Sequence, residues 1–136
     1  MHKGFLKTAA LLGALGVILG AFETHFLKSR VAEGSANVFE TGLRYQFYHV
    51  FALLAVGILY GSFRKSILRL AGIFFIAGII FFSGTIYLIT LMSADMIPVI
   101  SGVALAAPLG GTCLILGWIL MFFAIFTAKK QLTSVK

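Results

Sequence analysis

The chain has 136 residues, of which 60% are hydrophobic and only 11% charged, and it carries a net charge of +7. Soluble domains average about 25% charged residues, and a small soluble domain leaves a large share of its area facing water. A soluble fold is therefore excluded, and the bilayer must act as the solvent. The basic residues sit in short flanks and loops between apolar runs, the distribution that orients membrane helices, so nucleic acid is not an expected partner. The length leaves room for one domain, 1–136. The single Cys113 cannot form an intrachain disulfide and reads as a small hydrophobe.

The first apolar run extends from Phe5 to Phe22. A signal peptide opens in the same way. The long apolar core and the lack of a small-x-small site before Glu23 favour a retained helix instead. Gly16 and Gly20 form a small-xxx-small pair, read as a face for close helix packing. Residues 23–37 are the only sizeable polar stretch. Phe22 and Phe26 can form an apolar edge there, with Lys28 and Arg30 facing water, which predicts a short interfacial segment. Asn37 followed by Glu40 resembles a capping box, so the second helix is expected to start near Val38. It should run to about Tyr60, amphipathic in its first half and apolar in its second.

Gly61 to Ser66 reads as a short basic loop. A third helix is expected over about 67–92, with Arg69 snorkelling at its basic end and Ser83, Thr85, Tyr87 and Thr90 in its second part. Ser93 to Pro98 reads as a turn, because proline disfavours a continued helix. A fourth helix is expected over about 99–127. Gly102, Ala106 and Gly110 recur every four residues, a second close-packing face. Pro108 then falls inside the helix, where a kink is expected.

These segments predict an all-α integral membrane protein, a bundle of four transmembrane helices with a short interfacial segment between the first two. The crossings are placed at about 5–22, 44–61, 68–91 and 100–126. Lys3, Lys7, Arg64, Lys65, Arg69, Lys129, Lys130 and Lys136 fall on one side with no acid. Lys28, Arg30 and Arg44 fall on the other with Glu23, Glu33, Glu40 and Asp95. The positive-inside rule then predicts a multi-pass cell-membrane protein with both termini in the cytoplasm.

Placed by depth, the polar residues gather in one layer at the outer leaflet. His25, Glu40, Arg44, Tyr45, Gln46, His49, Ser83, Thr85 and Tyr87 make up this candidate cluster. Polar groups at membrane depth cost free energy and face the bundle interior or water, which points to a polar pocket or a hydrogen-bond network. The plainest reading is structural, because interhelical hydrogen bonds mainly fix packing. Tyr45, Tyr48 and Tyr87 also suit an aromatic belt. A zinc site from His25, His49, Glu23 and Glu40, or a proton relay at His49, are sharper alternatives. No metal or other cofactor is expected, since the spacing matches no ligand signature. Phosphate loops, metalloprotease motifs and nucleophile elbows are absent from the sequence, so no enzymatic activity is expected.

Four motifs resemble those of a known family. They are Leu19-Gly20-Ala21-Phe22 with His25, Thr41-Gly42-Leu43-x-Tyr45-Gln46-x-x-His49, Phe82-Ser83-Gly84-Thr85-x-Tyr87, and Pro108-x-Gly110-Gly111 with Gly117-Trp118. Together they resemble the small multi-pass membrane proteins of the domain of unknown function 423 family, which includes a relative named transmembrane protein 256. The resemblance implies a four-span membrane protein and no particular activity. Family members often have small residues where this chain has Glu23-Thr24. The expected function is a non-catalytic bundle that meets membrane lipids, a second copy of itself or another membrane protein. The alternative is a small transporter or channel-like component using the polar cluster as a substrate or proton site.

Overall fold

The computed structural model describes residues 1–63 and 65–127. Arg64, Lys129, Lys130 and Lys136 lie outside the described residues, as does the side chain of Lys65. Four helices are long and apolar enough to cross a membrane: α1 (Lys3–Leu27), α2 (Glu33–Leu59), α3 (Ser66–Ser93) and α4 (Val103–Phe126). Among the described residues there is no strand. The protein is an all-α, four-helix membrane bundle, as its hydropathy predicts.

α1 begins with a side-chain cap: His2 Nδ1 accepts the Phe5 backbone N–H at 3.2 Å. The His2 ring stacks on Phe5 at 4.2 Å and meets Tyr60 edge-on at 4.7 Å. The His2 backbone N–H donates to the Gly57 carbonyl at 2.7 Å. The start of α1 is thereby fastened to the end of α2, and the two helices run antiparallel. Small residues set how closely they approach. A Cβ added at Gly16 would lie 2.9 Å from the Phe47 ring, and one at Gly57 would lie 2.7 Å from Leu6. Gly20 is looser, with Leu43 at 3.8 Å from its imagined Cβ.

α3 packs antiparallel to α2 and to α4. Gly78 faces Leu114, Gly117 faces the Phe75 ring, and Gly110 presses on the backbone of Phe81 and Phe82. Gly72 of α3 lies under the Phe5 ring of α1. Lipid tails are as apolar as leucine, so bringing helices together depends on close packing rather than on escape from water. The resulting core draws on all four helices, through Phe5, Ala9, Leu53, Val56, Leu68, Ala71, Phe75, Leu114 and Ala124. A second cluster, Leu27, Phe39 and Leu43, closes the end that carries the α1–α2 connection.

Two turns widen to i→i+5 hydrogen bonding. In α1 the Lys28 N–H donates to the Glu23 carbonyl at 3.0 Å, so residues Glu23–Leu27 prolong the helix as one π-type turn. In α3 the Gly84 N–H donates to the Ile79 carbonyl, making a second such turn over Ile79–Ser83. The second lies where Gly110 of α4 meets the α3 backbone.

Three local expectations are corrected. α2 begins at Glu33, not near Val38. Ala32 is extended (ψ 149°) and sets the boundary, and Glu33 favours the positive end of the helix dipole. Asn37 is therefore inside the helix, where its carbonyl accepts the Thr41 hydroxyl at 3.0 Å, and the capping box does not form. The fourth helix begins at Val103, not Val99. Gly102 sits at φ +78°, a left-handed conformation that glycine adopts freely and that cannot continue a helix backwards. Its position outside the helix removes it from the packing face. Pro108 then lies in the first turn of Ala106–Phe126, where its missing N–H leaves no gap and gives no cause for a kink.

Candidate functional site

Among the described residues, the buried polar ones are Glu23, Gln46, His49, Ser83, Thr85 and Thr90. Gln46 organises the network. Its Nε2 donates to the Leu12 carbonyl of α1 at 2.7 Å, and its Oε1 accepts the Tyr87 hydroxyl of α3 at 2.7 Å. One amide therefore joins three helices. Four residues back along α2, the Gly42 carbonyl accepts the Ser83 hydroxyl at 2.8 Å. The missing side chain at Gly42 makes this approach feasible, since a Cβ there would lie 2.9 Å from Ile86 and from the Tyr87 ring. Gln46 stands at the midpoint of the 27-residue α2, and Leu12 is near the middle of α1. The network therefore lies near the middle of these two helices.

His49 lies one turn beyond Tyr45 on α2. It is 6% exposed, and its Nδ1 lies 2.7 Å from the Tyr45 carbonyl. A carbonyl can only accept, so Nδ1 carries the hydrogen and Nε2, on the far edge of the ring, keeps a lone pair. Three aromatic rings surround the imidazole: Tyr45 at 6.0 Å, Phe75 at 5.8 Å and Trp118 of α4 at 6.2 Å. Tyr45 also packs on Phe82 at 4.7 Å. α2 and α4 flank α3 and make almost no direct backbone approach. His49 therefore lies low between them, and Tyr45 and Trp118 stand partly exposed on either side.

This arrangement coincides with a family match. The family model described as "Protein of unknown function (DUF423)" matches residues 19–111. A UPF0382 membrane protein of Staphylococcus aureus is 34% identical over 130 residues, covering 89% of this chain and 97% of the relative. A UPF0382 membrane protein of Haemophilus influenzae is 33% identical over 131 residues, covering 96% of this chain and 99% of the relative. The chain belongs to the DUF423 family. No solved structure matches it. The matched region takes in Gln46, His49, Ser83 and Tyr87 and ends at Gly111, seven residues before Trp118. The family assignment agrees with the resemblance carried by the four motifs.

The sequence cluster does not stay together. Tyr87 is hydrogen-bonded to Gln46, Ser83 joins α2 one turn away through the Gly42 carbonyl, and Tyr45 and His49 adjoin them in the aromatic group. Glu40 and Arg44 pair with each other at 3.8 Å on the exposed face of α2, and neither is bonded to the network. His25 is exposed in the π-type turn, away from His49. Thr85 is buried in α3, while Thr90 bonds back to the Ile86 carbonyl of its own helix. Among the described residues, no three His, Cys, Asp or Glu side chains gather in a way that could hold a metal ion.

Several partners were not visible in the sequence. The Leu12 carbonyl has no side-chain signature at all. Phe75 reads as an ordinary apolar residue, and the motifs that contain Phe82 and Trp118 give no sign that Trp118 meets His49 and Phe82 meets Tyr45. Glu23 is 4% exposed, with Lys28 at 3.4 Å and the Thr24 hydroxyl donating at 3.3 Å. Its burial follows from the π-type turn, which carries no periodic signal in sequence.

Proposed function

We propose that the protein is a non-catalytic, lipid-interacting bundle of the cell membrane, with both termini in the cytoplasm. One observation carries the reading: the polar network is occupied by the protein's own backbone and side chains, while the aromatic surface between α2 and α4 is left exposed by the described residues. The Ser83 hydroxyl is committed to the Gly42 carbonyl, and Gln46 bonds on both sides. These groups hold helices together and leave no activated nucleophile between them. Tyr45, Tyr48 and Trp118 keep between 41% and 57% of their surface exposed. Tyrosine and tryptophan combine an apolar body with a polar tip, which suits contact with lipid. The excess of Lys and Arg at the end carrying the termini supports the orientation.

The transporter alternative has less support, because the mid-bundle amide and hydroxyl groups face one another. A second copy or another membrane protein could share the same exposed face with lipid. Native mass spectrometry of protein released gently from its own membrane tests the reading. Retained lipid, with its occupancy reduced in a Tyr48→Ala/Trp118→Ala variant, is the expected result. Bare protein of one or two subunits overturns it.

A further inference from the structure

We infer that His49 Nε2 is the acceptor of a binding site for a membrane-soluble ligand carrying a hydroxyl on a flat ring, of the phenol or hydroquinone class. The inference deepens the lipid-interacting reading and rests on it.

The argument starts from the tautomer. The Tyr45 carbonyl fixes the hydrogen on Nδ1, so neutral His49 offers Nε2 as an acceptor. No described residue hydrogen-bonds that atom, which opens to the surface of the bundle although most of His49 is buried. Polar groups at this depth normally face a partner. An acceptor calls for a donor, and none of the rings facing the imidazole gives it one: Phe75 has no polar atom, and neither the Tyr45 hydroxyl nor the Trp118 indole N–H is hydrogen-bonded to it. The other polar side chains nearby are spoken for, since Tyr87 donates to Gln46 and Ser83 to Gly42.

The walls then select the shape of the ligand. Tyr45 and Trp118 present partly exposed rings on the two sides of the imidazole, and Phe75 and Phe82 line the α3 side. Aromatic rings accept another ring offset or edge-on at centroid distances of about 4.5–7 Å. A flat ring entering from the bilayer could lie against Tyr45 or Trp118 while its hydroxyl donates to Nε2. A carboxylate or phosphate has no matching cation there, because the described basic residues lie toward the helix ends and Arg44 is paired with Glu40. A donor-bearing neutral ring therefore fits better than an anionic headgroup.

The protein carries its own reporter, since Trp118 is its only tryptophan. Full-length protein in nanodiscs is titrated with 4-nonylphenol and with its methyl ether, 4-nonylanisole, exciting Trp118 selectively. The two probes differ in the hydrogen-bond donor. The expected result is a saturable change in emission with the phenol, at an affinity about tenfold tighter than the ether's, the factor one ordinary hydrogen bond contributes. His49→Phe should abolish that preference. Protein labelled with ¹⁵N-histidine gives a second readout that needs no variant to fold: the His49 Nε2 resonance should move with the phenol and not with the ether. Equal response to both probes overturns the hydrogen bond at His49 and leaves the lipid reading standing. No response to either overturns the site. An emission change that follows protein concentration in place of phenol assigns the face to a second copy and also overturns it. Lipid retention in the mass spectrum is a separate measurement, so the two proposals fail separately.

Discussion

Replacing Gly110 by alanine tests the close approach of α3 and α4. A Cβ at Gly110 would lie 2.7 Å from the Phe81 carbonyl carbon and 2.8 Å from the Phe82 Cα, and nearer still to the Phe82 nitrogen. Nonbonded carbon atoms settle at about 3.5–4.0 Å, so the two helices must separate by roughly 1 Å. The obstructing atoms are backbone and cannot rotate aside. Overpacking costs about 1–3 kcal/mol, and this site belongs at the upper end. Alanine returns up to about 1 kcal/mol through helix propensity, leaving a net loss of about 2 kcal/mol. The adjacent Gly111 is the control, because its imagined Cβ meets only the Phe82 ring, at 3.8 Å. Gly111→Ala should be neutral or stabilising by up to about 1 kcal/mol. Reversible SDS unfolding in mixed micelles, followed by Trp118 fluorescence, measures both. Equal stability of the two variants would refute the crossing geometry.

Other substitutions probe the network and the orientation. Tyr87→Phe removes the donor to Gln46 and should cost about 0.6 kcal/mol, at most about 1.7, the range for interhelical hydrogen bonds in membranes. Gln46→Leu should cost more in the same unfolding assay, since it severs links to both α1 and α3 and strands the Tyr87 hydroxyl. Glu23→Ala should lower thermal stability in detergent more than Glu40→Ala. Glu23 is buried beside Lys28, while the exposed Glu40–Arg44 pair contributes about 0.5 kcal/mol or less. A cysteine at exposed Gly34, in a Cys113→Ser background, should react with an impermeant maleimide added to intact cells. Labelling only after the membrane is opened would reverse the proposed orientation.

Much of the candidate site was legible as a set of residue types and obscure as a set of contacts. Gln46, His49, Ser83 and Tyr87 stood out because polar side chains are rare in such apolar surroundings. Helical spacing also put Tyr45 and His49 on one face of α2. Spacing already sets Gln46 on the other side of α2 from Arg44, two residues away, but it gave no reason to separate His25 from His49. That separation depends on how α1 and α2 are rotated about their axes, and the π-type turn over Glu23–Leu27 changes the rotation just where His25 lies. The starts of α2 and α4 were misplaced for different reasons. Gly34 and Ser35 read as interruptions, yet both lie in the first turn of α2, where a helix tolerates them, whereas Gly102 reads as a helical residue and instead adopts the left-handed conformation that delays α4.

The sequence by itself determined the solvent, the number of crossings and the all-helical class. Backbone groups in lipid must be satisfied within each segment, and four long apolar runs leave helices as the way to do it. It also determined which small residues were available for close approach. Tertiary structure decided which of them are used: Gly16, Gly57, Gly72, Gly78, Gly110 and Gly117 lie at tight contacts, whereas Gly102 ends a turn. It also decided that Gln46 joins three helices and that His49 faces aromatic rings from α3 and α4. Hydropathy is a property of each segment alone, but a contact depends on the register and rotation of two helices. Only the packed bundle fixes those.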